Sequence, residues 1–433
     1  MNIGENMENP PKANRFFNKE RETMGWESRN EELSRKFLET FQYAYKRSRA
    51  YKEIFRSAGI ELPDIQGLED LEKLPVLRMQ DLVERQKKTP PFGGFDAIDT
   101  GRIRRIYINP GPIWQPAGWE YQDTSWAEAL CGTGFKEGDR IINTFNYHMW
   151  PLAFMLDESV KMIDATVIPT GVGNTLMQVK IMQMLKANGF MGTPSFIITL
   201  AQRAEGMGLD LKKDIFLETA LVGAEMLPES LRSRIENKLD ITVRQVYGTV
   251  FLGCVGYECQ YMGGLHVPDN IIVEVVDPQT GRQVEAGAIG EIVATNFNKS
   301  YPMIRMATGD LSILSSELCA CGRTGLMLKK ILGRTDQATK VRGTFVHPWQ
   351  ADEVISLYPE VFKYQVVITR KDENDIMTFL VELKEDTSQP DMLRGRIERN
   401  IKDILTIKGV AQIVPRGTIP DLHKKIEDRR SWD

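Results

Sequence analysis

Between Tyr301 and Pro348 the chain changes character, and that change limits what the rest can fold into. The stretch reads YPMIRMATGDLSILSSELCACGRTGLMLKKILGRTDQATKVRGTFVHP. Before it, from Gly101 onward, short apolar runs alternate with helical patterns, which is the signature of α/β layers. After it come two strand-length apolar runs, an amphipathic helix and a further strand, a plan for a separate α+β module of about 95 residues. At 433 residues the chain exceeds what one core usually supports. The expected division is a large α/β domain over residues 1–335 and a small α+β domain over 336–433.

Local patterns fill in that plan. Residues 1–14 are polar and rich in Pro and Asn, a composition expected to be disordered. Leu33, Phe37, Phe41 and Tyr45 recur every fourth residue, which predicts an amphipathic helix from Asn30 to Ala58, capped by Gly59. Leu62 to Leu82 reads as short helices and turns. Ala165 to Pro169 reads as a buried strand, followed by a helix capped by Asn174 and ended by Gly189. Thr219 to Gly223 predicts a strand and Pro228 to Leu239 a helix. Ile271–Val276 and Ile289–Ala294 flank the turn Asp277-Pro278-Gln279-Thr280-Gly281, a hairpin. In the tail, Tyr364–Thr369 pairs with Ile376–Leu383, then Leu393, Ile397, Ile401 and Leu405 mark a helix, and Gln412–Val414 a strand.

Bulk properties exclude several functions. A net charge of −4 gives no reason to expect nucleic acid or an anionic membrane as partner. No run of about 18 apolar residues predicts a transmembrane helix. The N-terminus lacks a basic start followed by an apolar core, so no signal peptide is expected. Five cysteines in this length do not make a disulfide framework and fit reduced thiols in the cytoplasm.

The polar handles are ordered along the chain: Gly223-Ala224-Glu225, Tyr247-Gly248, Thr308-Gly309-Asp310 and Gly333-Arg334-Thr335-Asp336. Alone, Asp310 reads as a turn carboxylate and Arg334 as half of a surface ion pair. Together, and with Leu68–Pro75, they resemble the adenylate-forming acyl-CoA ligases, most closely the phenylacetate-CoA ligase branch, from about Phe16 to Arg430. The resemblance implies a large domain of α/β layers with a small β-barrel-like part, and a small mobile α+β lid. It implies an ATP-dependent ligase that makes an acyl-adenylate and then a CoA thioester. Gly223, Ala224, Glu225, Tyr247 and Gly248 would lie by the adenine, Asp310 would hold the ribose, Arg334 would contact the nucleotide, and Asp336 would be the hinge. Lys425, after Gly417-Thr418-Ile419-Pro420, stands where the family has its adenylation lysine, with Lys424 as an equally near neighbour; the bland reading of KKIEDRR is a solvated charged tail. The implied cofactors and partners are ATP or AMP, coenzyme A, magnesium and a small aryl or short acyl carboxylic acid, with a homodimer common among relatives of this length.

Two segments depart from the family pattern. Where it has a Ser/Thr/Gly-rich phosphate loop with a lysine, this chain has Tyr107-Ile108-Asn109-Pro110-Gly111-Pro112-Ile113-Trp114-Gln115-Pro116. Three prolines remove three N–H donors from the cradle. Where the family places a metal-binding glutamate after Tyr-Gly, this chain has Phe251, which cannot coordinate magnesium. These losses keep two alternatives open: an acyl transferase using CoA or carrier-protein thioesters without ATP, and a non-catalytic nucleotide or acyl-CoA binding protein.

Two further sets complete the reading. Cys259, His266, Cys319 and Cys321 are the ligand types of tetrahedral zinc, with Gly322 permitting a tight turn. Without the resemblance, buried free cysteines are the alternative; with it, a structural zinc is implied. Tyr147 and His148, in the aromatic stretch Phe145–Pro151, lie where the family's acyl pocket begins, though a histidine beside aromatics is commonly just packed. Gly171-Val172-Gly173-Asn174-Thr175 looks like the family's GGNT loop and otherwise like a helix-capping turn.

Overall fold

The computed structural model describes residues 15–430 except 110–111, 120–122, 336–338, 342–343, 347, 372–373, 386–387, 406 and 422–423. The expected disorder of residues 1–14 and the hinge expected at Asp336 lie outside the described residues. The chain divides into two compact units, one running to Thr308 plus Ser312–Lys330, the other comprising Gly309–Leu311 and Ile331 onward.

One part of the large unit is a parallel sheet. Arg140–Asn143, Thr166–Pro169, Gly189–Gly192, Thr219–Val222 and Thr242–Thr249 are joined by helices Leu152–Met162, Thr175–Met184, Pro194–Gly206 and Glu229–Leu239. Arg140–Asn143 has Thr166–Pro169 on one side and Gly189–Gly192 on the other; Thr219–Val222 and Thr242–Thr249 follow outward. The central strands are short and buried on both faces, as a sheet covered by helices requires. Ile142, Phe190, Ala220 and Val243 pack against Val179, Ile197, Leu200 and Ile235 on one face. Leu130, Phe135, Ile141, Leu156 and Leu221 form the layer on the other.

Beyond Thr242–Thr249 the sheet turns antiparallel through Gly253–Glu258, Leu265–His266, Met327–Leu328, Met306–Ser315, Ile289–Asn296 and Ile271–Val276. The expected hairpin is present, with Ile271 opposite Asn296 and Val276 opposite Glu291. Asp277 Oδ1 accepts from the amides of Gln279 and Thr280, which sets the turn. Arg305 ties this half to the N-terminal segment. Its buried guanidinium pairs with Glu274 and donates to the carbonyls of Glu72, Leu74 and Gly281. With every neighbour an acceptor, the buried charge is fully matched.

Three sequence expectations need correction. The N-terminal helix is not continuous to Ala58: Trp26–Arg47 and Arg49–Ser57 are separated at Ser48, whose backbone is extended. The Ser48 hydroxyl accepts from Tyr51 N, capping the second helix, and donates to Gly94 O, so tertiary bonding outweighs periodicity. The strand ending at Pro169 is not buried but lies at the sheet edge, with Thr166 and Pro169 exposed. Gly189 does not end the preceding helix, which stops at Met184; it opens the next strand.

The small unit matches its expected plan. Val361–Lys371 and Asn374–Leu383 pair antiparallel, with Val410–Ile413 parallel to the second and Ile426–Asp428 parallel to the first. Helices Pro348–Ser356 and Pro390–Leu405 cover them, burying Leu393, Ile397, Ile401 and Leu405 against Val366, Ile368, Phe379 and Val381. The strand Ile426–Asp428 was not expected, because Ile426 is its one buried apolar side chain among charges.

Candidate active site and metal centre

The parallel strands place the motif residues on one edge. After Asn143 comes the loop with Tyr147 and His148, after Pro169 the Gly171–Asn174 turn, after Val222 the Gly223–Glu225 turn, and Tyr247-Gly248 follows within the last parallel strand. All five carboxyl ends face the same way, and the order reverses direction beside Arg140–Asn143. In open α/β sheets ligands bind in the crevice outside such ends, at such a switch point.

Each group has a physical anchor. Tyr147 donates to Asp157 Oδ1 at 2.6 Å and packs edge-on against Phe154. Burial, together with the Asp157 carboxylate, pushes its phenol well above the usual tyrosine range. Asn143 Nδ2 reaches the same Asp157 at 2.9 Å. His148 is exposed, its amide bonded to Asn146 Oδ1. The Gly171 turn passes Tyr147: a Cβ on Gly171 would stand 3.5 Å from Tyr147 Cδ2. Asn174 caps the following helix through Met177 N, as expected. Glu225 accepts from the Ser195 amide and hydroxyl, at 3.2 and 2.8 Å, so its carboxylate lies at the N-terminus of helix Pro194–Gly206. At Gly223 a Cβ would stand 2.9 Å from Val246 Cγ1 and 3.0 Å from Val246 O, so the turn needs glycine to pass the neighbouring strand.

The phosphate side is built differently. Ile103–Asn109 and Ile113–Gly118 form an antiparallel hairpin with Tyr107 opposite Gln115; Pro110 and Gly111 at its tip lie outside the described residues. Its inward polar groups are carboxamides: Asn109 Nδ2 donates to Gln115 Oε1 at 2.7 Å, and both residues are buried. Gln86 clamps the hairpin by bonding Trp114 N and O. Phe251 is buried, and its carbonyl accepts from Asn296 Nδ2. A buried phenyl ring offers a cation no oxygen, so this position does not fit magnesium.

In the small unit, Asp310 and Arg334 face each other across paired strands, with Arg334 Nη1 3.3 Å from Asp310 Oδ1. Thr335 Oγ1 donates to Gly309 O. Lys425 Nζ contacts both Asp352 oxygens, at 2.7 and 2.6 Å, while Lys424 offers its carbonyl to Gln365 Nε2.

The Cys/His set converges. The ligand atoms of Cys259, His266, Cys319 and Cys321 all lie within 4.8 Å of one another, although the chain separates them by up to 62 positions. Cys259 Sγ lies 3.6 Å from Cys319 Sγ, and Cys321 Sγ 3.5 Å from His266 Nε2. Tetrahedral zinc at ordinary bond lengths places S···S at about 3.8 Å and S···N at about 3.6 Å. The donor set fits a metal ion. Tyr261 N and Arg323 N each approach a cysteine sulfur at 3.4 Å, and Gly322 takes the left-handed conformation the turn needs, φ +88°. The Cys259 thiol and the neighbouring His266 ring hold the Cys321 thiol well below the usual thiol range, while the same contact and burial push Cys259 up.

Asp157, Ser195 and Asp352 each support a motif residue and escaped sequence reasoning. Nothing marks them in the chain; they act through contacts between residues 10 to 73 positions apart.

Comparison with known proteins agrees with this geometry. The AMP-binding enzyme family matches residues 127–298, and the AMP-binding enzyme C-terminal domain matches residues 343–430. Phenylacetate-coenzyme A ligase of Thermus thermophilus is 30% identical over 408 residues, covering 87% of this chain and 90% of that protein. The Escherichia coli protein of the same name is 28% identical over 399 residues, covering 88% and 90%. The crystal structure of an open conformation of 2-hydroxyisobutyryl-CoA ligase in complex with 2-HIB-AMP and CoA has the same fold, with a TM-score of 0.85 at 24% identity over 97% of this chain and 95% of that one. No helix among the described residues is long and apolar enough to cross a membrane. The chain belongs to the AMP-binding enzyme family, in its phenylacetate-CoA ligase-like branch of ATP-dependent acid–CoA ligases.

Proposed function

We propose that this chain joins a small aryl or short acyl carboxylic acid to coenzyme A, in the cytoplasm, with residues 336–433 as a mobile lid hinged at Asp336 and a homodimer as its assembly. The convergence of the motif turns on the carboxyl edge of the parallel sheet carries the reading. The acid's carboxylate oxygen attacks the α-phosphorus of ATP, the P–O bond to pyrophosphate breaks, and an acyl-adenylate forms. The CoA thiol then attacks the acyl carbon, its proton is lost, and AMP departs. Lys425 offsets the negative charge that builds on the α-phosphate. Asp310 accepts the ribose hydroxyls, Arg334 contacts the nucleotide, and Gly223, Ala224, Glu225, Tyr247 and Gly248 flank the adenine. Tyr147 and His148 border the acid. Zinc on Cys259, His266, Cys319 and Cys321 has a structural role, since four protein ligands leave no open position.

A second reading, thioester transfer without ATP, draws on the buried Phe251 and the buried, hydrogen-bonded Asn109–Gln115 pair. One assay separates the two: purified protein with CoA, ATP and a panel of aryl and short-chain acids, scored for AMP and acyl-CoA in equal amounts. Equal release of both supports the ligase. Thioester exchange that proceeds at full rate without ATP supports the transferase.

A further inference from the structure

The strand Ile426–Asp428 is held parallel to Val361–Lys371, with Val366 N donating to Lys425 O at 2.8 Å and Gln365 Nε2 donating to Lys424 O at 3.1 Å. The backbone entering Lys425 is therefore fixed on both sides of the residue. Its side chain is half exposed, and a free lysine there would sample many rotamers. It does not. Both Asp352 oxygens lie within 2.7 Å of Nζ, and Tyr364 donates to Asp352 Oδ1 at 2.5 Å. Asp352 is anchored in turn: it follows Ala351 on helix Pro348–Ser356, whose Ala351 and Val354 are fully buried, and its partner Tyr364 stacks on Phe379.

An exposed pair of this kind contributes little to folding, so its tight geometry needs another account. An ammonium has three N–H donors, and one carboxylate on one side of Nζ leaves a donor for an incoming oxygen. The geometry points to Asp352 as a positioning residue that fixes the Lys425 ammonium for the adenylation step, with Tyr364 fixing Asp352. The inference rests on Lys425 being the adenylation lysine, a reading the test examines separately. Asp352 acts through the lysine it contacts.

The test compares the two half-reactions in the full-length protein: acid-dependent exchange of labelled pyrophosphate into ATP, and CoA-dependent consumption of preformed acyl-adenylate. Asp352→Asn keeps the shape and removes the charge. Its exchange kcat is expected to fall about tenfold, with KM for ATP and acid and the rate of the CoA half-reaction each within about twofold of the original. Asp352→Glu is expected to recover most of the lost rate, and Tyr364→Phe to lose about threefold. Because Asp352 works through Lys425, Asp352→Asn added to Lys425→Ala is expected to cost nothing further. Unchanged exchange in Asp352→Asn, an equal loss in both half-reactions, or additive losses in the double variant overturns the assignment. Normal exchange in Lys425→Ala instead overturns the reading of the lysine, whatever Asp352 does.

Discussion

The cysteine–histidine cluster and the carboxyl edge of the parallel sheet belong to one unit and are built on opposite terms. In the cluster, Cys259, His266, Cys319 and Cys321 are buried, converge on one point and have amides aimed at their sulfurs. Along the edge, His148 and Glu225 are exposed, and Tyr147 is half covered. A site that must admit and release substrates keeps its groups at the surface on rigid strand ends, whereas a site that only stabilises closes over its ligands. Disturbing the first should therefore change rates, and disturbing the second should change stability.

The largest effect expected is on the closed site. Cys319→Ser with Cys321→Ser removes two of the four donors proposed for zinc, and the protein should bind less than one zinc per chain at this site and lose more than about 4 kcal/mol of stability. Metal analysis and thermal unfolding check this; an unaltered melting curve would break the contrast. Next comes Lys425→Ala, expected to lower acid-dependent pyrophosphate exchange by about 10²–10³-fold, about 3–4 kcal/mol of transition-state stabilisation, with unfolding unchanged. Asp310→Asn should cost about 1.5–3 kcal/mol in kcat/KM for ATP, the range of a hydrogen bond to a charged group. KM for the acid should stay the same, read from initial rates. Gly223→Val should cost about 1–3 kcal/mol of stability through overpacking, because the new side chain meets Val246 on the adjacent strand. Here, unlike at Lys425, unfolding should move. The smallest effect is that of His148→Ala, under about 0.5 kcal/mol on stability for an exposed side chain, and a change beyond about threefold in KM for the acid would mark it as a substrate contact.

Much of this was legible in the chain, for identifiable reasons. Strand–helix alternation gave the α/β layers because buried parallel strands are short apolar runs. The tail module was readable because Tyr364–Thr369 and Ile376–Leu383 are strand-length apolar runs on either side of a charged turn. Ser48 was not, since one extended residue between helices leaves the four-residue repeat intact on either side. The edge position of Thr166–Pro169 was hidden too, because strand order is set by crossovers and not by composition. Site residues were visible where a turn needed an unusual type, as at Gly223 and Gly322. Asp157, Ser195 and Asp352 were invisible because they are ordinary polar residues made relevant by a distant partner.

The central question is whether a site with the Asn109–Gln115 pair and the buried Phe251 in place of a phosphate loop and a glutamate still drives attack on ATP. Labelled pyrophosphate incubated with ATP, protein and each acid of an aryl and short-chain panel, with CoA left out, answers it directly. The account predicts that label enters ATP only when the right acid is present. Label that never enters ATP with any acid, while ATP-free thioester transfer proceeds, would contradict it.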